Sequence, residues 1–292
     1  VIELWKSMFG PNTHIKSTSI ISYSHRDNEF FDLYRDTIKR FKSKFNLEDY
    51  DIMFIPGSGT VGVESVISTL NCNVEVVGTN GVFKTRWEHM VEGHDKTGTD
   101  IKLYCHLETS NSSLNNFSGN IADCISSFPY YDIPKTTDVF ITCANKQLGS
   151  FPGLSIVGVK RNAWEFFNKT SKISYLNLYR YYEYGLKNQT PTTAPTHLFK
   201  HLNDLLREFD ICKLRERIEN ISRLLVETIG HSNVIGEKNS PVITVNKEVI
   251  PIELANKYQL YGINTNSENY QFFTYSCNEK LYKKFCKELC QY

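Results

Sequence analysis

The feature that most restricts the fold of this chain is a succession of short apolar runs, each the length of a strand and most of them followed by a turn or a helical pattern. Asp51-Ile52-Met53-Phe54-Ile55 comes first; the runs 74–77, 101–105, 121–124, 139–143 and 154–159 follow. Strands separated by crossovers imply a mostly parallel sheet covered by helices, an α/β fold. The large unit they form is expected to span residues 1–190.

Helical periodicity fills the spaces between the runs. Phe31, Tyr34, Ile38, Phe41 and Phe45 recur at three- and four-residue steps behind Asp27, which has the chemistry of a helix cap. Val63, Val66, Ile67 and Leu70 repeat the pattern directly after the first strand. Beyond Thr190 two long helices are expected over 196–209 and 211–229, the second with Leu214, Ile218, Ile221 and Leu225 on one face. Strand-like segments at 242–245 and 271–277 and a last helix complete a smaller α/β unit over 191–292.

Charge excludes some partners. The 33 Lys and Arg against 32 Asp and Glu leave a net charge of +1, so no face is built for polyanions and nucleic acid is not an expected partner. Lys280, Lys283, Lys284 and Lys287, interleaved with Glu279, Leu281, Phe285 and Glu288, read as one solvated helix face. No apolar run approaches the roughly 18 residues of a membrane span, and Val1 to Lys6 does not read as a signal peptide. The eight cysteines show no metal-ligand spacing and several lie in apolar runs, so free thiols, no metal and a reducing cytoplasm are expected.

Three places carry chemistry. Gly57-Ser58-Gly59-Thr60, between a strand and a helix, brings backbone N–H groups and two hydroxyls to a helix N-terminus, where a phosphate is stabilised; small residues also make ordinary turns. Asp123 lies in one apolar run and Lys146 follows the next. Ligands collect at the carboxyl ends of parallel strands, so this carboxylate and amine can face one pocket. The pair suits pyridoxal 5'-phosphate (PLP): a carboxylate keeps the pyridine nitrogen protonated and a lysine forms the Schiff base, provided that a desolvated site lets it lose its proton. A surface lysine beside a strand-end aspartate is the alternative on composition alone.

The segment Ala144-Asn145-Lys146-Gln147-Leu148-Gly149-Ser150-Phe151-Pro152-Gly153-Leu154 resembles the lysine segment of the class V, fold-type I PLP enzymes, above all the 2-aminoethylphosphonate:pyruvate transaminases. Ser24 to Phe30, Gly57 to Thr60, Asn80 to Phe83, Glu108 to Ser110, Asp123 with Ser126-Ser127, and Thr193 to His197 agree in the same order. The resemblance implies the three-layer PLP-transferase fold, PLP as cofactor, and a homodimer with shared sites. It implies that Ser58, Gly59 and Thr60 hold the phosphate, Phe83 stacks near the ring, and Thr109 contacts the cofactor. Asp123 would pair with the pyridine nitrogen, Lys146 would be imine partner and proton shuttle, and Thr193 would reach a neighbouring subunit's cofactor phosphate. Plain core packing is the other reading of Phe83.

Two departures bear on the substrate. Where the family carries an arginine that grips a substrate carboxylate, this chain reads Tyr270-Gln271-Phe272-Phe273, so Gln271 takes the place of the clamp. Lys84 replaces a family glycine, while Arg86 matches a family arginine. Arg26, Lys84 and Arg86 are the candidates for a substitute charge. The expected activity is transamination between a small amine, such as an aminophosphonate or a phosphorylated or acidic amine, and an oxo acid. A PLP lyase or decarboxylase on the same scaffold, and a non-catalytic relative, are the alternatives.

Overall fold

A computed structural model describes residues 9–10, 23–94, 98–117, 119–170, 172–275 and 279–292. In chain order the strands are β1 (Tyr50–Pro56), β2 (Val74–Val77), β3 (Ile101–Cys105), β4 (Leu107–Glu108), β5 (Ser113–Leu114), β6 (Ile121–Asp123), β7 (Val139–Cys143), β8 (Leu154–Lys160), β9 (Val234–Ile235), β10 (Val242–Asn246) and β11 (Asn269–Phe273). The helices are α1 (Asn28–Phe45), α2 (Gly59–Thr69), α3 (Val82–Glu92), α4 (Leu178–Gly185), α5 (Thr196–Glu208), α6 (Ile211–Ile229), α7 (Ile252–Lys257) and α8 (Glu279–Leu289).

The main sheet has the order β1-β8-β7-β6-β3-β2. Its pairs β2·β3, β3·β6 and β6·β7 are parallel, whereas β8 runs antiparallel to both β7 and β1. Five strands therefore point the same way and one is reversed. Alternate residues of each strand serve opposite faces. Ile52, Phe54, Phe140 and Ile156 pack with Phe30, Tyr34 and Phe41 of α1 and Phe199 of α5 on one side. Met53, Ile55, Ile141 and Val157 pack with Val63, Val66 and Ile67 of α2 and Trp87 of α3 on the other. The result is helix, sheet, helix, which is why these strands read as continuous apolar runs rather than alternating ones.

The turn after β1 needs glycine twice. Gly57 adopts φ +143, and a Cβ on Gly62 would lie 2.1 Å from Ser155 Oγ, so α2 rests directly on the sheet. That approach fixes where the first turn of α2 begins.

A second sheet, β11-β10-β9, packs against α6, α7 and α8 through Ile221, Leu225, Ile243, Val245, Phe272 and Phe285. It meets the β4–β5 hairpin: Ser112 Oγ donates to the Val242 carbonyl at 2.8 Å. This contact brings β11 over the carboxyl edge of the large sheet.

Several expected boundaries move. Asp27 occupies the cap position of α1, but its side chain makes no capping hydrogen bond. The 121–124 run forms a strand only to Asp123, because Cys124 begins the turn that follows. The segment expected as a strand over 271–277 is a strand over Asn269–Phe273; Cys277 lies outside the described residues, as do Val1 to Lys6. Helix α3 was not expected, since its apolar residues show no sustained period. Among the described residues, no helix is long and apolar enough to cross a membrane.

Candidate active site

Because β1, β2, β3, β6 and β7 are co-directional, their carboxyl ends share one edge of the sheet, and the residues singled out in the sequence follow those ends. Ser58 to Thr60 follow β1, Phe83 follows β2, Glu108 and Thr109 follow β3, Asp123 closes β6 and Lys146 follows β7. Sites spread along the chain from Ser58 to Lys146 thus converge by topology alone.

Lys146 is half-buried, and its Nζ stands 5.2 Å from the centroid of the Phe273 ring on β11. Burial holds its amine below the ordinary lysine range; the nearby Cys143 and Asp123 act in the opposite direction. A lysine tuned this way gives up its proton more readily than an exposed one, as a nucleophilic amine must.

Asp123 is 6% exposed, and burial raises its carboxyl to about 6. Hydrogen bonds from the Ile125 N–H, the Cys105 thiol and the Trp87 indole oppose that rise, and Glu108 adds to it. The Ile125 N–H donates to Oδ1 at 2.9 Å and the Trp87 Nε1–H to Oδ2 at 3.0 Å. Oδ2 also takes the Cys105 thiol at 3.5 Å, so it is Oδ1 that keeps a lone pair for a further donor.

Ser58 is the cap residue of α2 and its side chain makes no capping bond. The first N–H groups of a helix have no carbonyl partner within it, so this turn offers donors at the positive end of the helix dipole. Gly59 is buried against Ile125, where an added Cβ would meet Cδ1 at 2.5 Å. The phosphate turn and the Asp123 turn are therefore in contact.

Phe83 is held by a buried carboxylate that sequence reasoning missed. Glu108, 0% exposed, accepts the N–H groups of Phe83 at 3.3 Å and Lys84 at 3.0 Å, and the Ser110 hydroxyl at 2.6 Å. An acid at a helix N-terminus is favoured by both the free N–H groups and the dipole. Arg86 lies over the Phe83 ring at 5.1 Å, and the Trp87 ring centroid is 6.2 Å from that of Phe83. A local signal for Glu108 existed only as part of the Glu108-Thr109-Ser110 segment; Trp87 carried none.

The remaining candidates have these surroundings. Thr109 is buried and donates its hydroxyl to Ser126 Oγ at 2.6 Å, while its carbonyl accepts the Gln271 side-chain amide. Thr193 is exposed just ahead of α5. Arg26 donates to the Thr190 carbonyl at 3.1 Å and to Gln189 at 3.3 Å, which ties the start of α1 to the stretch between α4 and α5. Lys84 pairs with Glu88 at 2.6 Å. Of the three candidate cations, only Arg86 rests against a residue of the expected cofactor pocket.

The residues present fit PLP: a buried carboxylate with a lone pair to spare, a lysine of lowered basicity and a turn with free helix N–H donors meet at one edge. Comparison with known proteins finds aminotransferases among both relatives and solved structures. No family model matches the chain. A protein of Methanocaldococcus jannaschii described as an uncharacterized aminotransferase is 28% identical over 296 residues, 81% of this chain and 76% of the relative. A 2-aminoethylphosphonate–pyruvate transaminase of Bacillus cereus is 26% identical over 303 residues, covering 85% and 82%. The soluble hydrogenase 42 kDa subunit of Anabaena cylindrica is 28% identical over 228 residues, 62% of this chain, and the match spans 59% of that relative. Among solved structures, an alanine–glyoxylate aminotransferase of Nostoc superposes with a TM-score of 0.78 at 19% identity over 99% of this chain and 96% of its own. An aspartate aminotransferase of Thermus thermophilus gives 0.80 at 15% identity over 96% and 97%.

Proposed function

We propose that this chain, a relative of the class V aminotransferases with their fold-type I architecture, is a PLP-dependent transaminase in which Lys146 carries the cofactor. The observation that supports this most directly is the meeting of Lys146, Asp123 and the Ser58 turn at one sheet edge. PLP, when bound, supplies an electron sink that stabilises negative charge on the substrate carbon. Asp123 holds a proton at the pyridine nitrogen. Ser58, Gly59 and Thr60 bind the phosphate and Phe83 lines the ring. Lys146 would hold the cofactor through its Nζ and would serve as the base that moves the proton at the substrate carbon. Thr109, buried and bonded to the Ser126 hydroxyl, contacts the cofactor.

The substrate we infer is a small amine such as an aminophosphonate or another phosphorylated or acidic amine, with an oxo acid as acceptor. Gln271 is neutral and engaged with the Thr109 carbonyl, so the wall that β11 presents bears no cation for a carboxylate. Arg86 is the substitute charge that lies closest to the expected ring position. A lyase or decarboxylase on the same scaffold is the second reading, favoured by that same neutral wall, because bond choice follows how the substrate is held against the ring.

We further infer two units meeting near Thr190, and a homodimer in which exposed Thr193 reaches a neighbouring subunit's cofactor phosphate. The thiols described are free, which suits a reducing cytoplasm.

The decisive experiment is spectroscopic. The purified protein is expected to be yellow, to lose its visible band on borohydride treatment and to carry the reduced cofactor on Lys146 in a peptide map. Lys146→Ala forming a reducible adduct at another residue would overturn the assignment. An amine-donor screen that follows loss of the visible band, with product analysis, separates transamination from lyase chemistry.

A further inference from the structure

Trp87 is the largest fully buried side chain beside the site, and no part of the proposed chemistry yet uses it. It lies one helical turn beyond Phe83 on α3, with its ring in the core between that helix and the sheet. Its Nε1 is 3.0 Å from Asp123 Oδ2 and 3.0 Å from Cys105 Sγ, and that thiol is itself 3.5 Å from the same carboxylate oxygen. A phenylalanine would fill most of this space equally well. What the indole adds is one N–H, directed at a carboxylate.

We propose that Trp87 is a positioning residue for the cofactor site, its indole N–H holding the Asp123 carboxylate ionised and in one fixed orientation at the end of β6. The proposal rests on the reading of Asp123 as partner of the pyridine nitrogen. With Oδ1 fixed by the Ile125 N–H and Oδ2 by Trp87, the carboxylate cannot rotate without breaking a bond. Ionisation matters equally. The titratable groups facing Asp123 are Cys105 on β3, Glu108 on β4, Cys124 beside it, Cys143 on β7, and Lys146. Lys146 alone of these is a cation, and a lysine committed to the cofactor is no longer a free ammonium. Without Trp87, one backbone N–H and one weak thiol donor would be left to oppose burial. The proton shared with the ring nitrogen would then move toward Asp123, and the ring would withdraw electrons less strongly.

The test is nuclear magnetic resonance on the full chain, with and without PLP. In the unmodified protein without PLP, the Trp87 indole N–H signal, assigned as the one that persists when Trp5 and Trp164 are replaced by Phe, is expected to titrate with a midpoint near the Asp123 value of about 6. It should become independent of pH in Asp123→Asn. In Trp87→Phe the Asp123 carboxyl carbon should titrate about one pH unit or more higher, a tenfold or greater gain in proton affinity. Trp164→Phe, whose indole bonds Asp51 instead, should leave that midpoint in place. An indole signal indifferent to pH in the unmodified protein overturns the proposal, and this measurement does not depend on Trp87→Phe folding. So does an unmoved carboxyl midpoint in Trp87→Phe. Failure of the cofactor assignment is seen separately, as a chain that borohydride does not label at Lys146 while the indole still titrates with Asp123.

Discussion

The Nζ of Lys146 and the ring of Phe273 lie 5.2 Å apart, and with this contact the lysine loop behind β7 touches the small sheet that closes over it. Tyr261 stands edge-on to the same ring at 5.2 Å, and Tyr275 at 6.0 Å. The lysine therefore works against an aromatic wall, with Gln271 at its margin turned to Thr109. A desolvated amine at such a wall is easier to deprotonate.

The first prediction concerns that wall. A carboxylate entering beside Gln271 exchanges water for a neutral amide, so pyruvate and simple α-amino acids should be poor substrates. Gln271→Arg should raise kcat/KM for pyruvate roughly tenfold to a hundredfold relative to the native donor, the scale of one charge-assisted bond. The cofactor spectrum of the variant checks that the fold is intact. High activity of the unmodified protein on pyruvate would place the carboxylate clamp on another residue, Arg86 first.

A second prediction follows from the buried acid. Asp123 titrates at about 6 in the fold against 3.8 when exposed, so both states are protonated below the lower value and the native state is not penalised there. Stability is lost as pH rises through 6, and the loss is complete above it, up to about 3 kcal/mol. His106, held at about 4 by burial, contributes the opposite slope: its stability is present above 6.5 and lost as pH falls toward 4. Asp123→Asn should remove the first slope only. Urea unfolding of both cofactor-free proteins at pH 4 and pH 7 measures it; a stability difference between them that does not change with pH would refute the assignment.

Glu108 supplies a third. Its carboxylate takes two N–H groups of α3 and both donors of Ser110 in a fully buried position. Glu108→Ala should cost roughly 2–4 kcal/mol, because several half-buried donors lose one shared, buried acceptor, and Glu108→Gln should cost less. Both should weaken PLP binding, since Phe83 enters α3 through these bonds. Denaturant midpoints together with PLP titration separate the two effects; full PLP affinity in Glu108→Ala would show that Phe83 needs no such anchor.

The fourth prediction links packing to the phosphate turn. Gly62→Ala puts a Cβ 2.1 Å from Ser155 Oγ and 2.9 Å from Ile141 Cγ2, which forces α2 off the sheet. We expect a loss of roughly 1–3 kcal/mol and a matching drop in affinity for PLP, as the Ser58 turn moves with its helix. Adding Ser155→Gly should relieve the closest contact and restore most of both; no recovery would locate the strain at Ile141.

The sequence by itself determined what depends on near neighbours. The apolar runs, the period of α1 and α6 and the glycines after β1 are local signals, because strand, helix and turn each bury or free groups within a few residues. The resemblance around Lys146 pointed to the cofactor for the same reason, being one unbroken segment. The tertiary structure alone decided which side chains meet. Trp87 reaches Asp123 from another element, Glu108 caps a helix that begins before it in the chain, and Gln271 meets Thr109 from the other sheet. None of these pairs leaves a periodic trace, because a hydrogen bond across a packed interface is set by how helices and sheets seat on one another, and not by the spacing of residues along the chain.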